Sequence, residues 1–180
     1  GSDATLRFVP AETGVVPKGV NATLYPYQLD GWRWLKFVIG EGIGGLLADE
    51  MGLGKTLQII SALSDCGRHP LKQTLVIAPG SLLENWRREI VKFAPHLTVI
   101  KHQGARRTGH FKDLLGYDVV VTSYETAVSD LSQMKMIEWD AIILDEAQNI
   151  RNPEALRTKS VKSIPRKVSL AIARASALSS

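Results

Sequence analysis

The chain of 180 residues is long enough for one domain with a real core, and its 44% hydrophobic and 22% charged content is ordinary for a globular protein. No apolar run approaches the ~18 residues that cross a bilayer, no signal peptide opens the chain, and one cysteine, Cys66, excludes an internal disulfide and suits a reducing cytoplasm. The net charge of +4 is uneven: residues 151–180 hold seven basic side chains against Glu154, leaving −2 for the preceding 150 residues, a pattern more typical of a solvated basic face than of a nucleic-acid patch.

Gly1-Ser2 reads as a cloning remnant, and residues 1–23 as an extended lead-in rich in Pro, Gly, Thr and Val. From Gln28 to Ile39 the apolar residues fall at helical spacing, and the glycine-rich GEGIGG then breaks that helix. Beyond it, strand-like runs at 44–48, 73–78, 97–101, 118–122, 140–144 and 167–172 alternate with helical patterns at 54–65, 81–93, 106–115 and 124–131. Ser81 is placed to cap the helix 81–93, whose stripe of Leu83, Trp86, Ile90 and Phe93 makes Trp86 a core residue. Such alternation predicts an α/β fold with a mainly parallel sheet covered by helices on both faces.

Ligands of parallel sheets gather at the carboxyl ends of the strands, and three stretches stand out by their chemistry. The first is LLADEMGLGKTLQ, residues 46–58. Gly52 and Gly54 let backbone N–H groups converge on an anion at a helix start, Lys55 can reach β- and γ-phosphates, and the Thr56 hydroxyl can ligate Mg²⁺. Asp49 stands where the strict phosphate-loop pattern has glycine, and an ordinary strand-to-helix turn is the alternative. The second is AIILDEAQ, where a buried strand ends in Asp145, placed to hold a hard cation, and Glu146, placed to polarise water. An N-cap with a first-turn acid would look the same. The third is LYPYQ, which by itself is better read as a turn, although its Gln28 amide offers the donor and acceptor that suit the edge of adenine.

The ordered series YPYQLDGWRWL, LADEMGLGKTLQ, VIAPGSLLENW, VVVTSYE and IILDEAQNIRNP closely resembles the first RecA-like lobe of a Swi/Snf-type DNA-dependent ATPase, within helicase superfamily 2. The resemblance covers residues 24–172 and implies a RecA-like three-layer α/β/α sandwich that binds ATP and Mg²⁺. It implies adenine recognition by Gln28, phosphate and metal binding by Asp49, Gly52, Gly54, Lys55 and Thr56, metal coordination by Asp145 and water activation by Glu146. The stretches Ala78-Pro79-Gly80-Ser81 and Thr122-Ser123-Tyr124 match motifs that hold the backbone of one DNA strand, so Ser81, Thr122 and Ser123 are the candidate nucleic-acid contacts. Gln148 stands where many relatives have histidine, in a DEAQ box that looks prokaryotic, at a position that couples nucleotide state to the other lobe.

At the end of the series the family has T-G-T-P, whereas this chain reads Ala173-Arg174-Ala175-Ser176, so residues 173–180 are expected to be foreign. A second RecA-like lobe with arginine fingers is the expected partner, and without it turnover should be slow. Double-stranded DNA, held weakly, is the expected ligand, with no membrane, a monomeric state and a cytoplasmic, nucleoid-associated location. A lobe of a strand-separating DNA or RNA helicase, or a small P-loop kinase or binding module without turnover, are the competing readings.

Overall fold

The computed structural model describes residues 45–49, 55–64, 71–150 and 152–174. Six strands form one sheet: β1 (Gly45–Asp49), β2 (Thr74–Ala78), β3 (Val99–His102), β4 (Val119–Ser123), β5 (Trp139–Leu144) and β6 (Arg166–Arg174). Their order is β1-β6-β5-β2-β4-β3, and every neighbouring pair is parallel. Five helices complete the described residues: α1 (Lys55–Ser64), α2 (Leu83–Phe93), α3 (Tyr124–Ser129), α4 (Leu131–Lys135) and α5 (Leu156–Ser163).

The alternation of side chains along each strand divides the core in two. Val76, Ala78, Val119, Val121, Ala141 and Ile143 face a cluster closed by Ile59 and Ile60 of α1 and Trp86 and Ile90 of α2. Leu75, Ile77, Val120, Ile142 and Leu144 face the opposite cluster, closed by Tyr124, Ala127, Met134 and Val161 from α3, α4 and α5. Because both sheet faces are covered, β2 and β4 are buried at all five positions, which is why the sequence reads there as unbroken apolar runs. Each such aliphatic side chain removed from water contributes about 1.5–3 kcal/mol.

The strands lie within a residue or two of their expected places, and the helical segments depart from theirs at four points. The expected helix 81–93 starts instead as a 3-10 turn at Gly80–Leu82, in which Leu82 N donates to Pro79 O at 2.9 Å. Leu82 precedes α2 and no side chain caps it, so Ser81 is not the N-cap; it sits exposed within the turn. Only Phe111–Leu114 of the expected helix 106–115 is helical, as a single 3-10 turn. Its first half is a loop bent at Gly104, whose φ of +92° favours glycine. The expected helix 124–131 is two helices that meet at Asp130, which leaves helical geometry there (φ −104°, ψ 29°). Helix α5 lacks an apolar stripe and has no counterpart among the expected elements.

Past residue 172, Ala173 and Arg174 continue β6 in register with Ala48 and Asp49 of β1. The expected helix 28–39 lies outside the described residues. No described helix is long and apolar enough to cross a membrane.

Candidate nucleotide and nucleic-acid site

The carboxyl ends of all six strands fall on one edge of the sheet, and that edge carries most of the candidate residues. β1 ends at Asp49 on this edge and α1 begins at Lys55; the residues between them, Gly52 and Gly54 included, and Gln28 lie outside the described residues. Thr56 is half-buried in the first turn of α1, and Gln58 behind it is 1% exposed. Strand β6 separates β1 from β5, so Asp49 at the end of β1 and the Asp145–Glu146 turn stand two strands apart on the same edge. Gln148 lies in the 3-10 turn Ala147–Ile150 that follows.

The Asp145–Glu146 turn is held from several directions. Asp145 N donates to Ile77 O at 2.8 Å, which ties the turn to β2. The carboxylate is held at both oxygens: Glu146 N donates to Oδ1 at 2.8 Å and Trp86 Nε1 to Oδ2 at 2.8 Å. The Tyr124 hydroxyl donates to the Asp145 carbonyl oxygen at 2.7 Å. Burial, and then the Asp145 charge beside it, push the Tyr124 phenol well above its ordinary value, which keeps it a donor. Glu146 takes a left-handed conformation (φ 50°), uncommon outside glycine, and the strain bends the chain away from β5 directly after Asp145. Its carbonyl oxygen accepts Asn149 N at 3.0 Å and Asn149 Nδ2 at 2.9 Å. Asn149 Oδ1 in turn accepts from Arg157, which also pairs with Glu125 at 2.7 Å and lies over the Tyr124 ring at 5.6 Å.

The residues suit a magnesium ion bound together with a phosphate chain. Asp145 and Thr56 are hard oxygen donors, and Asp145 has an ordered carboxylate at the site edge. Among the described residues no group of three or more His, Cys, Asp or Glu could enclose a metal. Mg²⁺ keeps waters and phosphate oxygens and takes only one or two protein ligands, so two oxygen donors such as these would suffice to hold it.

The nucleic-acid candidates divide. Ser81 is exposed in the turn after β2, where a Cβ on Gly80 would come within 3.0 Å of Gln103 Nε2, so this turn packs against the loop after β3. The Thr122 and Ser123 hydroxyls point inward. Thr122 is fully buried and donates to His102 O at 2.8 Å. Ser123, 2% exposed, caps α3 by accepting Thr126 N at 3.0 Å and donates to Thr126 Oγ1 at 2.9 Å. Both hydroxyls are consumed by the fold, so in this arrangement neither offers a donor to a phosphate.

Two features lay beyond sequence reasoning. The stripe on α2 identified Trp86 as core, and it is 1% exposed, but nothing in the stripe reveals that its indole ends on Asp145. The loop after β3 is built on Asp130. Its Oδ2 accepts from Arg107 Nε at 2.7 Å and lies 2.7 Å from His102 Nε2, and its Oδ1 accepts from Arg107 Nη2 at 3.2 Å. These bonds, Arg107's first, hold the Asp130 carboxyl below the usual carboxylate range. The adjacent arginines after Gly104 were the available signal, and the expectation of a helix there obscured it.

Residues 27–173 match the SNF2-related domain family. The protein of Bacillus subtilis named "Putative ATP-dependent helicase/translocase YwqA" is 39% identical over 158 residues, covering 83% of this chain and 17% of that protein. The chromatin-remodeling ATPase INO80 of Pyricularia oryzae is 38% identical over 161 residues, covering 82% of this chain and 8% of that one. The chain therefore spans less than a fifth of the length of these relatives. Among solved structures, the Sulfolobus solfataricus SWI2/SNF2 ATPase core in complex with dsDNA superposes with a TM-score of 0.80 at 40% identity, covering 88% of this chain and 33% of that chain. A second structure, of the Sulfolobus solfataricus SWI2/SNF2 ATPase core domain, gives a TM-score of 0.76 at 40% identity over 93% of this chain and 33% of that chain. Strand order, the turn after β5 and this likeness over nearly the whole described chain agree: the protein belongs to the SNF2-related domain family and has its RecA-like fold.

Proposed function

We propose that this chain is the ATP-binding lobe of a DNA-dependent ATPase that moves along double-stranded DNA. The observation that carries this reading is the Asp145–Glu146 turn. It sets a hydrogen-bonded carboxylate and a strained neighbouring acid on the sheet edge at which β1 also ends. The solved relative held on duplex DNA supports the choice of nucleic acid.

In this reading Lys55 and the amides of residues 52–56 bind the β- and γ-phosphates, and Gln28 binds the adenine. Asp145 and the Thr56 hydroxyl hold Mg²⁺, which when bound neutralises charge on the phosphate oxygens. Glu146 orients the attacking water and takes its proton. Gln148, in the following 3-10 turn, passes the nucleotide state towards a second lobe. DNA is gripped at the turns after β2 and β4, through Ser81 and through backbone amides, because the Thr122 and Ser123 hydroxyls are occupied. Phosphate contacts position a protein without reading sequence, so binding depends on salt and not on base order.

The test is ATP turnover by the longest natural form of the protein with duplex DNA, single-stranded DNA or RNA added. Duplex DNA should stimulate most, and Glu146→Gln should keep nucleotide binding and lose at least ~10²-fold in turnover, as expected on removing a general base. Stimulation by single strands or RNA alone would make the protein a strand-separating helicase instead.

A further inference from the structure

The two turns assigned to DNA both end, through the helices that follow them, on the same residue of the nucleotide site. From the turn after β2, α2 carries Trp86, whose indole N–H reaches Asp145 Oδ2 at 2.8 Å. From the turn after β4, Tyr124, the first residue of α3, reaches the Asp145 carbonyl oxygen at 2.7 Å. Both side chains are 1% exposed, so neither can drift without moving its helix. A buried indole needs one acceptor, and a main-chain carbonyl normally suffices: Trp139, equally buried, donates to Met134 O at 2.9 Å. Trp86 instead gives its single donor to a carboxylate, a stronger, charge-assisted bond that core packing alone does not require.

We propose that Trp86 and Tyr124 are positioning residues that couple the turns at 78–82 and 122–124 to Asp145, so that a DNA backbone seated on those turns sets the direction of the metal-holding carboxylate. This rests on the function proposed above. Glu146 N on Oδ1 and Trp86 Nε1 on Oδ2 together fix the rotation of the carboxylate. The Asp145 backbone is fixed at the same time by Tyr124, and Tyr124 by the Arg157 guanidinium over its ring. A small displacement of α2 or α3 therefore arrives at Asp145 as a change in aim.

The Mg²⁺ dependence of binding of a fluorescent ADP analogue to this chain tests the coupling, with and without a short random-sequence duplex. Trp86→Phe keeps an aromatic ring in the core and removes the donor. It should raise the half-saturating Mg²⁺ concentration roughly tenfold, the lower end of the effect of deleting a partner of a metal ligand, and leave affinity in EDTA unchanged. In the wild type the duplex should lower the Mg²⁺ midpoint, since coupling between two ligands is reciprocal, and Trp86→Phe and Tyr124→Phe should each shrink that shift. The Trp86 indole resonance of the ¹⁵N-labelled wild type should move when Mg²⁺ joins the ADP complex, a readout independent of how well either variant folds. Equal loss of affinity with and without Mg²⁺ would mean that Trp86 acts only on packing, and would overturn the proposal. Unshifted midpoints in both variants, or a stationary indole resonance, would overturn it and leave the nucleotide site standing. A wild type that binds no ADP would overturn the nucleotide reading and this proposal together.

Discussion

Glu146 shows at the scale of one residue how this fold places chemistry at the expense of stability. A non-glycine residue in the left-handed region costs about 1–2 kcal/mol. Glu146→Gly should therefore stabilise the chain by about 0.5–1 kcal/mol, part of the relief being lost to the freer unfolded chain, while abolishing turnover. Chemical denaturation of the two proteins checks the sign; a destabilised variant would mean that the Glu146 side chain contributes more than its backbone costs. The serines separate in the same way. Ser123 caps α3 from inside the protein, so Ser123→Ala should cost ~1 kcal/mol of stability and leave DNA affinity unchanged. Ser81 is exposed in its turn, so Ser81→Glu should leave stability within about 0.5 kcal/mol and weaken duplex binding by charge repulsion. Filter binding at two salt concentrations beside denaturation curves distinguishes the pair. Sequence reasoning gave all three hydroxyls one role, because a motif fixes residue type and spacing but not the side-chain direction that decides between a cap and a contact.

At the scale of elements, what the sequence revealed followed burial. β2, β4 and β5 were plain because two covered faces demand apolar residues in succession, and α2 because its stripe meets one face only. Helix α5 was hidden for the opposite reason: its buried positions include Thr158 and Ser160, while Leu156 is 71% exposed, so hydrophobic period and burial disagree. The break at Asp130 was equally invisible, since its cause is a partner set from residues 102 and 107, far away in sequence. That clamp has a pH signature. Arg107 holds the Asp130 carboxyl below its ordinary 3.8, so the folded protein binds this proton more weakly than the unfolded chain does. The stability it contributes is complete above that ordinary value and is lost as pH falls through the lowered one. Asp130→Asn should accordingly be less stable than the wild type at neutral pH, with the gap closing below about pH 4. Denaturant midpoints across that range provide the check, and a gap independent of pH would assign the loss to packing around the loop.

At the scale of the molecule, one parallel sheet brings together at a single edge groups far apart in the chain, from Asp49 at the end of β1 to Glu146 in the turn after β5. The central claim is that this edge is a nucleotide site of which Lys55 and Asp145 are parts, and calorimetric titration with Mg²⁺·ATPγS measures it most directly. The wild type should bind one nucleotide. Lys55→Ala should lose a charge-assisted phosphate contact typically worth ~1.5–3 kcal/mol, and Asp145→Asn should weaken binding only when Mg²⁺ is present. Equal affinity in all three proteins would contradict the assignment.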